Sequence, residues 1–147
     1  MKRYLFFVIA VLLSIPASAQ LNVKAKGNVK PIGTIRTGII NVFQQDSLFF
    51  ISLKTNNAFD DPGIFNLGKG KESAFATLDD LVGILENGEP GEAYQVESRP
   101  GRTCTLIVGK QLGVRIVTFS FDECAGTQSM SKGEFEKVRG IVDRKGK

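Results

Sequence analysis

Residues 93–121 read AYQVESRPGRTCTLIVGKQLGVRIVTFSF, and this stretch decides the fold. Ala93–Ser98, Thr103–Gly109 and Val114–Phe121 are each rich in β-branched and aromatic residues, the types that fit a pleated, half-buried surface. Arg99-Pro100-Gly101 separates the first pair, and Gly109-Lys110-Gln111-Leu112-Gly113 the second. Connections this short join antiparallel neighbours, because a parallel strand needs a crossover of a dozen or more residues. The stretch is a three-strand antiparallel meander.

Towards the C-terminus, Ser131–Asp143 reads as a helix. Ser131 and Glu134 have the spacing of a capping box, with Met130 and Phe135 as the accompanying hydrophobic staple. Phe135, Val138, Ile141 and Val142 form the apolar stripe. Gly133 and Gly140 each weaken the helix by about 1 kcal/mol relative to Ala.

Towards the N-terminus, Phe75, Leu78, Leu81, Val82 and Leu85 fall on one face of a helix over Lys71–Glu86, stopped by Asn87-Gly88 and Pro90. Thr34–Gln44 and Leu48–Lys54 read as two more strands, joined by a turn at Gln44-Gln45-Asp46-Ser47. In such a hairpin Ile40 and Val42 share a face with Phe49 and Ile51, while Ile39 and Phe43 share the other with Leu48 and Phe50. A hairpin with one solvated face has a polar side. This one is apolar on both, so it is either central or part of a contact with another molecule. Thr55–Gly70, with Asp60-Asp61-Pro62-Gly63, reads as a turn-rich loop. Gln20–Pro31 reads as a leading arm or an edge strand. Segregated strands and helices make the fold α+β. The expected architecture is a single domain built on one antiparallel sheet of about five strands: hairpin, helix, three-strand meander, C-terminal helix.

The first residues carry an address. Lys2 and Arg3, an apolar run Leu5–Ile15 and Pro16-Ala17-Ser18-Ala19 form a signal peptide over residues 1–19. The run is too short to cross a bilayer core, which needs roughly 20 residues. The expectation is export to the periplasm or beyond, with residues 20–147 as the working domain and no stable membrane anchor after cleavage. The formal charge of +4 falls to +2 once Lys2 and Arg3 leave. No basic stripe with interleaved aromatics is present, so no nucleic-acid partner is expected. In an oxidising compartment, Cys104 and Cys124 are expected to form a disulfide. The loop it closes is worth about 3 kcal/mol in the chain-entropy model.

The chain contains no His. Ser-His-Asp triads, Cys-His dyads and imidazole metal sites are therefore impossible, and two cysteines cannot supply a four-thiolate zinc site. No metal and no cofactor are expected. Hydrolysis without His falls to carboxylate pairs drawn from Asp60, Asp61, Asp79, Asp80, Glu86, Glu89, Glu92, Asp122 and Glu123. Gly63–Lys69 matches the first seven positions of a P-loop, but Gly70 replaces the hydroxyl residue that binds magnesium. Gly68, Lys69, Gly70 and Lys71 retain a looser promise: backbone amides and two ammonium groups at a helix N-terminus suit an anion. Sugar stacking is poorly served, since there is no Trp. Asp46-Ser47-Leu48 resembles a three-residue O-glycosylation acceptor pattern of exported proteins, with Ser47 as the acceptor.

The inventory points to a small exported binding module, an inhibitor, adaptor or envelope assembly component. Its interaction surface is placed at Ile39, Phe43, Leu48 and Phe50, and its partner is another protein or an envelope component. The alternative is a small carboxylate-dependent hydrolase acting on cell-envelope or dietary polymer.

Overall fold

The computed structural model describes residues 30–147. The expected signal peptide and most of the leading arm lie outside the described residues. The chain runs β1 (Gly33–Ile35), β2 (Ile40–Gln45), β3 (Leu48–Leu53), β4 (Gly63–Lys69), α1 (Gly70–Asn87), β5 (Ala93–Arg99), β6 (Arg102–Gln111), β7 (Val114–Phe121), β8 (Thr127–Ser131) and α2 (Lys132–Lys145). The strands form two antiparallel sheets in sequential order, β1-β2-β3-β4 and β5-β6-β7-β8. Each half of the chain is thus a four-strand meander that runs straight into a helix.

The fold is α+β, but the single sheet of about five strands is corrected to two sheets of four. Three strands were hidden for separate reasons. The stretch read as one strand over Thr34–Gln44 is broken by a turn in which Arg36, Thr37 and Gly38 all have positive φ, 51°, 52° and 86°. Two non-glycine residues in the left-handed region are uncommon, and little in the local sequence announces them. The turn is held by Asn41, whose Nδ2 donates to the Gly38 carbonyl at 2.8 Å. β4 alternates Gly63, Phe65 and Leu67 inward with Ile64 and Asn66 outward, a true period of two masked by the turn-type residues Asp60-Asp61-Pro62-Gly63 at its start. β8 carries one buried apolar residue, Met130, too few to register as a pattern.

Both helices stand where expected. The C-terminal carbonyls of α1 are taken by Arg115 of β7, whose Nε donates to Leu85 O at 2.7 Å and whose Nη2 donates to Gly88 O. At the start of α2 the capping box is present. The Glu134 carboxylate accepts from Ser131 N–H at 2.8 Å and from Ser131 Oγ at 3.0 Å. Glu134 also accepts from Arg36 Nη2 at 2.8 Å and pairs with Arg36 Nε. The strained β1–β2 turn therefore ties the first sheet to the second helix.

One core joins both halves. The inner faces of the sheets supply Ile40, Val42, Phe49, Ile51, Phe65, Leu67, Leu106, Val117 and Phe119; the helices add Leu78, Leu81, Phe135 and Val138. Phe65 of β4 meets Phe119 of β7 edge to face, with ring centroids 5.5 Å apart. Phe121 lies over Gly63 so closely that a Cβ there would stand 2.2 Å from its ring.

Two outcomes follow. Gly63→Ala forces a methyl into a buried ring and is expected to cost about 1–3 kcal/mol, read as a lower urea midpoint. Glu134→Ala removes the cap and leaves Arg36 without its carboxylate; the expected loss is about 2–3 kcal/mol, checked in the same titration.

Candidate functional site

The first sheet hides one face and presents the other. Its outward side chains are Thr34, Asn41, Phe43, Gln45, Leu48, Phe50, Ile64, Asn66 and Lys69, with Ser52 on the same face but buried. Lys69, at one end, is the one charged residue among these, in a chain that is 23% charged. Phe43 and Phe50 sit directly opposite one another in the β2–β3 register. Their rings stack at 5.1 Å between centroids and 8° between planes. Leu48 and Ile64 extend the apolar centre, all four being half-buried. Lys54 just past β3 and Lys69 opposite Leu48 are exposed at its two ends. Protein interfaces as a class are enriched in aromatic residues and depleted of charge at the centre, with a polar rim.

The four residues expected to form the interaction surface divide. Phe43, Leu48 and Phe50 are together on this face. Ile39 precedes β2, packs partly against the core and lines a separate cleft with Lys54, Thr55 and Gln128. Ile64 belongs to the face and was missed because β4 reads as loop; its alternation with Phe65 was the available signal. Ser47 is exposed at the two-residue hairpin turn beside Asp46, whose φ is 54°.

The anion-binding expectation meets a different local geometry. Gly68 and Gly70 have φ of 122° and 78°. A Cβ at Gly68 would stand 2.1 Å from Ser73 Oγ. The glycines are thus needed to pass from strand to helix without a connecting loop. Gly70 N–H donates to Ser47 O at 2.7 Å. Lys71 Nζ donates to Asp143 O at 2.7 Å, on the last turn of α2, where a cation complements the helix dipole. Only Lys69 of the pair keeps an ammonium without a protein partner among the described residues.

Most candidate carboxylates are engaged. Asp79 pairs with Arg139, which also lies over the Phe75 ring at 4.6 Å. Glu86 pairs with Lys132 and raises the pKa of that ammonium. Asp60 accepts from Gly126 N–H at 2.7 Å, and Asp122 from Thr103 N–H at 3.2 Å. The Tyr94 hydroxyl and the Glu89 N–H hold the Glu92 carboxyl below its usual range. Asp61 and Glu123 share a cleft of about 400 Å³ with Ser52, Ile64, Arg99 and Arg102. Glu123 lies 2.7 Å from Arg99 Nη2 and 3.5 Å from Arg102 Nε. Both guanidinium groups occupy its carboxylate oxygen Oε2, so that oxygen is engaged within the protein.

The expected disulfide is corrected: Cys104 and Cys124 are free thiols. Cys104 is on the inner face of β6, buried in the core. Cys124 follows β7 and turns towards the β3–β4 connection, its Sγ 3.2 Å from Asp61 O. The two thiols point at different neighbours. Burial pushes the Cys104 thiol up to about 12 and also raises that of Cys124.

Comparison with protein-family models, curated proteins and solved structures finds no match for this chain.

A thiol reagent at pH 8 is expected to modify Cys124 readily and Cys104 only as fast as the protein unfolds. The sign of the pH effect follows. An unfolded Cys104 ionises near its ordinary value of 9.0 and the folded one near 12. Its contribution to stability is complete below pH 9 and is lost as pH rises towards 12. Denaturant titrations from pH 8 to 11 should show a shallower loss for Cys104→Ala than for the unmodified chain.

Proposed function

We propose that this protein is an exported binding module that docks another protein or an envelope component on the outer face of its first sheet. The observation that carries the reading is the face centred on the stacked Phe43 and Phe50, with Lys54 and Lys69 at its ends. Stacked rings held by a sheet are rigid, so little side-chain freedom is lost when a partner covers them. Aromatic residues at the centre of such a patch supply most of the affinity, while the surrounding Asn41, Gln45 and Asn66 exclude water and fix register. The partner that fits is a flat, mostly apolar surface with uncharged hydrogen-bonding groups. The hydrolase reading has weaker support, because Glu123, one of the two carboxylates in the cleft beside this face, is held by Arg99 and Arg102.

The test compares the protein with Phe43→Asp and Phe50→Asp. Both side chains are on the outer face, so the variants should keep the thermal transition of the parent. The partner retained from an envelope extract by the parent should bind each variant at least tenfold more weakly by calorimetry. Equal affinity for a well-folded Phe43→Asp would remove this face from the function.

A further inference from the structure

We propose that the cleft between β1 and α2 binds an extended acidic peptide segment of a partner protein. The cleft is open and measures about 760 Å³. Thr34, Ile35 and Arg36 line one side, and Gly133, Lys137, Gly140 and Arg144 the other.

The backbone supplies the first argument. β1 ends its sheet and has a strand on one side only among the described residues. The Lys54 N–H donates to Ile39 O, which sets the phase of the ladder: Asn41 and Phe43 bond towards β3. Ile40 and Val42 therefore bond towards β1, where they oppose Ile35 and Gly33. Thr34 lies between, so its N–H and C=O turn away from β2. These are the groups to which an added strand pairs.

The helix supplies the second. A Cβ built on Gly133 meets nothing within 4 Å, and one on Gly140 meets only the Arg144 guanidinium at 3.7 Å. Neither glycine has the positive φ that would require it. Each weakens α2, and neither is needed by the packing of this chain. Both lie along the cleft, on the flank that a strand beside β1 would approach, and their missing side chains leave room for its backbone.

Charge selects the occupant. Arg36 is neutralised by Glu134. Lys137 and Arg144 have no ion-pair partner among the described residues, and Glu136 is the one acid in the lining. Seven residues apart on a helix, the two cations are about 10 Å apart along its axis. Side chains on one face of an extended chain recur about every 7 Å. Acidic residues two to four apart therefore reach both. Residues 20–29 of this chain contain Lys24 and Lys26 and no acid, so they carry the wrong sign. A nucleic acid would find no aromatic ring in the lining on which to stack a base. This cleft shares only Thr34 with the outer face of the first sheet, and Phe43 and Phe50 lie outside its lining.

The test uses the purified protein and a fluorescein-labelled heptapeptide, Thr-Glu-Val-Glu-Val-Glu-Thr, followed by anisotropy in low salt. The counterpart with Gln at each Glu is expected to bind at least tenfold more weakly. Lys137→Glu combined with Arg144→Glu should weaken the acidic peptide tenfold or more, and Gly140→Leu should do so by filling the cleft while the helix is retained. Phe43→Asp should leave this binding unchanged. Equal affinity for the Gln peptide overturns the proposal, as does full binding by the charge-reversed or Gly140→Leu protein. A single-stranded oligonucleotide that competes as well as the peptide also overturns it. So does a tenfold gain in peptide affinity on deleting residues 20–29, because the chain's own arm is then the occupant.

Discussion

The edge-to-face contact of Phe65 on Phe119, with Phe121 laid over Gly63, is the constraint on which the rest of the molecule depends. Each half of the chain makes a sheet with one apolar face and a helix with one apolar stripe. Four strands and a helix are a marginal core by themselves. Joining β4 to β7 through three phenyl rings lets one core serve both halves, and an aromatic pair of this kind adds about 0.5–1.5 kcal/mol beyond the area it buries. The absence of a side chain at residue 63 is what allows the second ring to reach the sheet.

Once the inner faces are committed to each other, polar groups fix the remaining geometry. Arg115 reaches from β7 to the last carbonyls of α1, and Lys71 from the start of α1 to a carbonyl on the last turn of α2. Arg36 crosses from the first sheet to Glu134 at the start of α2. These links bridge the two halves or their helices, and each satisfies backbone or carboxylate groups that a helix end leaves open. The outer face of the first sheet is then left outside the core, with the stacked Phe43 and Phe50 at its centre.

Local patterns announced the elements whose signals lie close together in the chain. The capping box at Ser131 and Glu134, the stripe Leu78, Leu81 and Leu85, and the stop at Gly88 all depend on spacings of a few residues. The pairing of Phe43 with Phe50 followed from the hairpin turn, so the common face of Phe43, Leu48 and Phe50 was legible. Ile39 was not, because Arg36, Thr37 and Gly38 reverse the chain just before it through backbone angles that two of those residues rarely adopt. β4 was lost behind Asp60-Asp61-Pro62-Gly63, whose residue types suit a turn, but the turn closes earlier, between Asn57 and Asp60, and Gly63 already opens the strand. Lys71 illustrates a different limit. Its motif suggested a free cation, and only the packing of α1 against α2 places Asp143 O within its reach.

By itself the sequence determined the α+β class, both helices, the antiparallel meander of β5 to β7 and the apolar character of both faces of the β2–β3 hairpin. Those properties are periodicities of two and 3.6 residues, and the chain carries them without help. The division into two four-stranded sheets was settled only in three dimensions, as were the unbonded state of the two thiols, the engagement of the carboxylates and the choice of which hairpin face remains outside. Contacts between residues far apart in the chain decide much of this, such as Arg36 with Glu134, 98 residues apart, and Asp60 with Gly126, 66 apart. Such contacts are decided by the single arrangement in which both apolar faces are buried at once, and no local spacing encodes that arrangement.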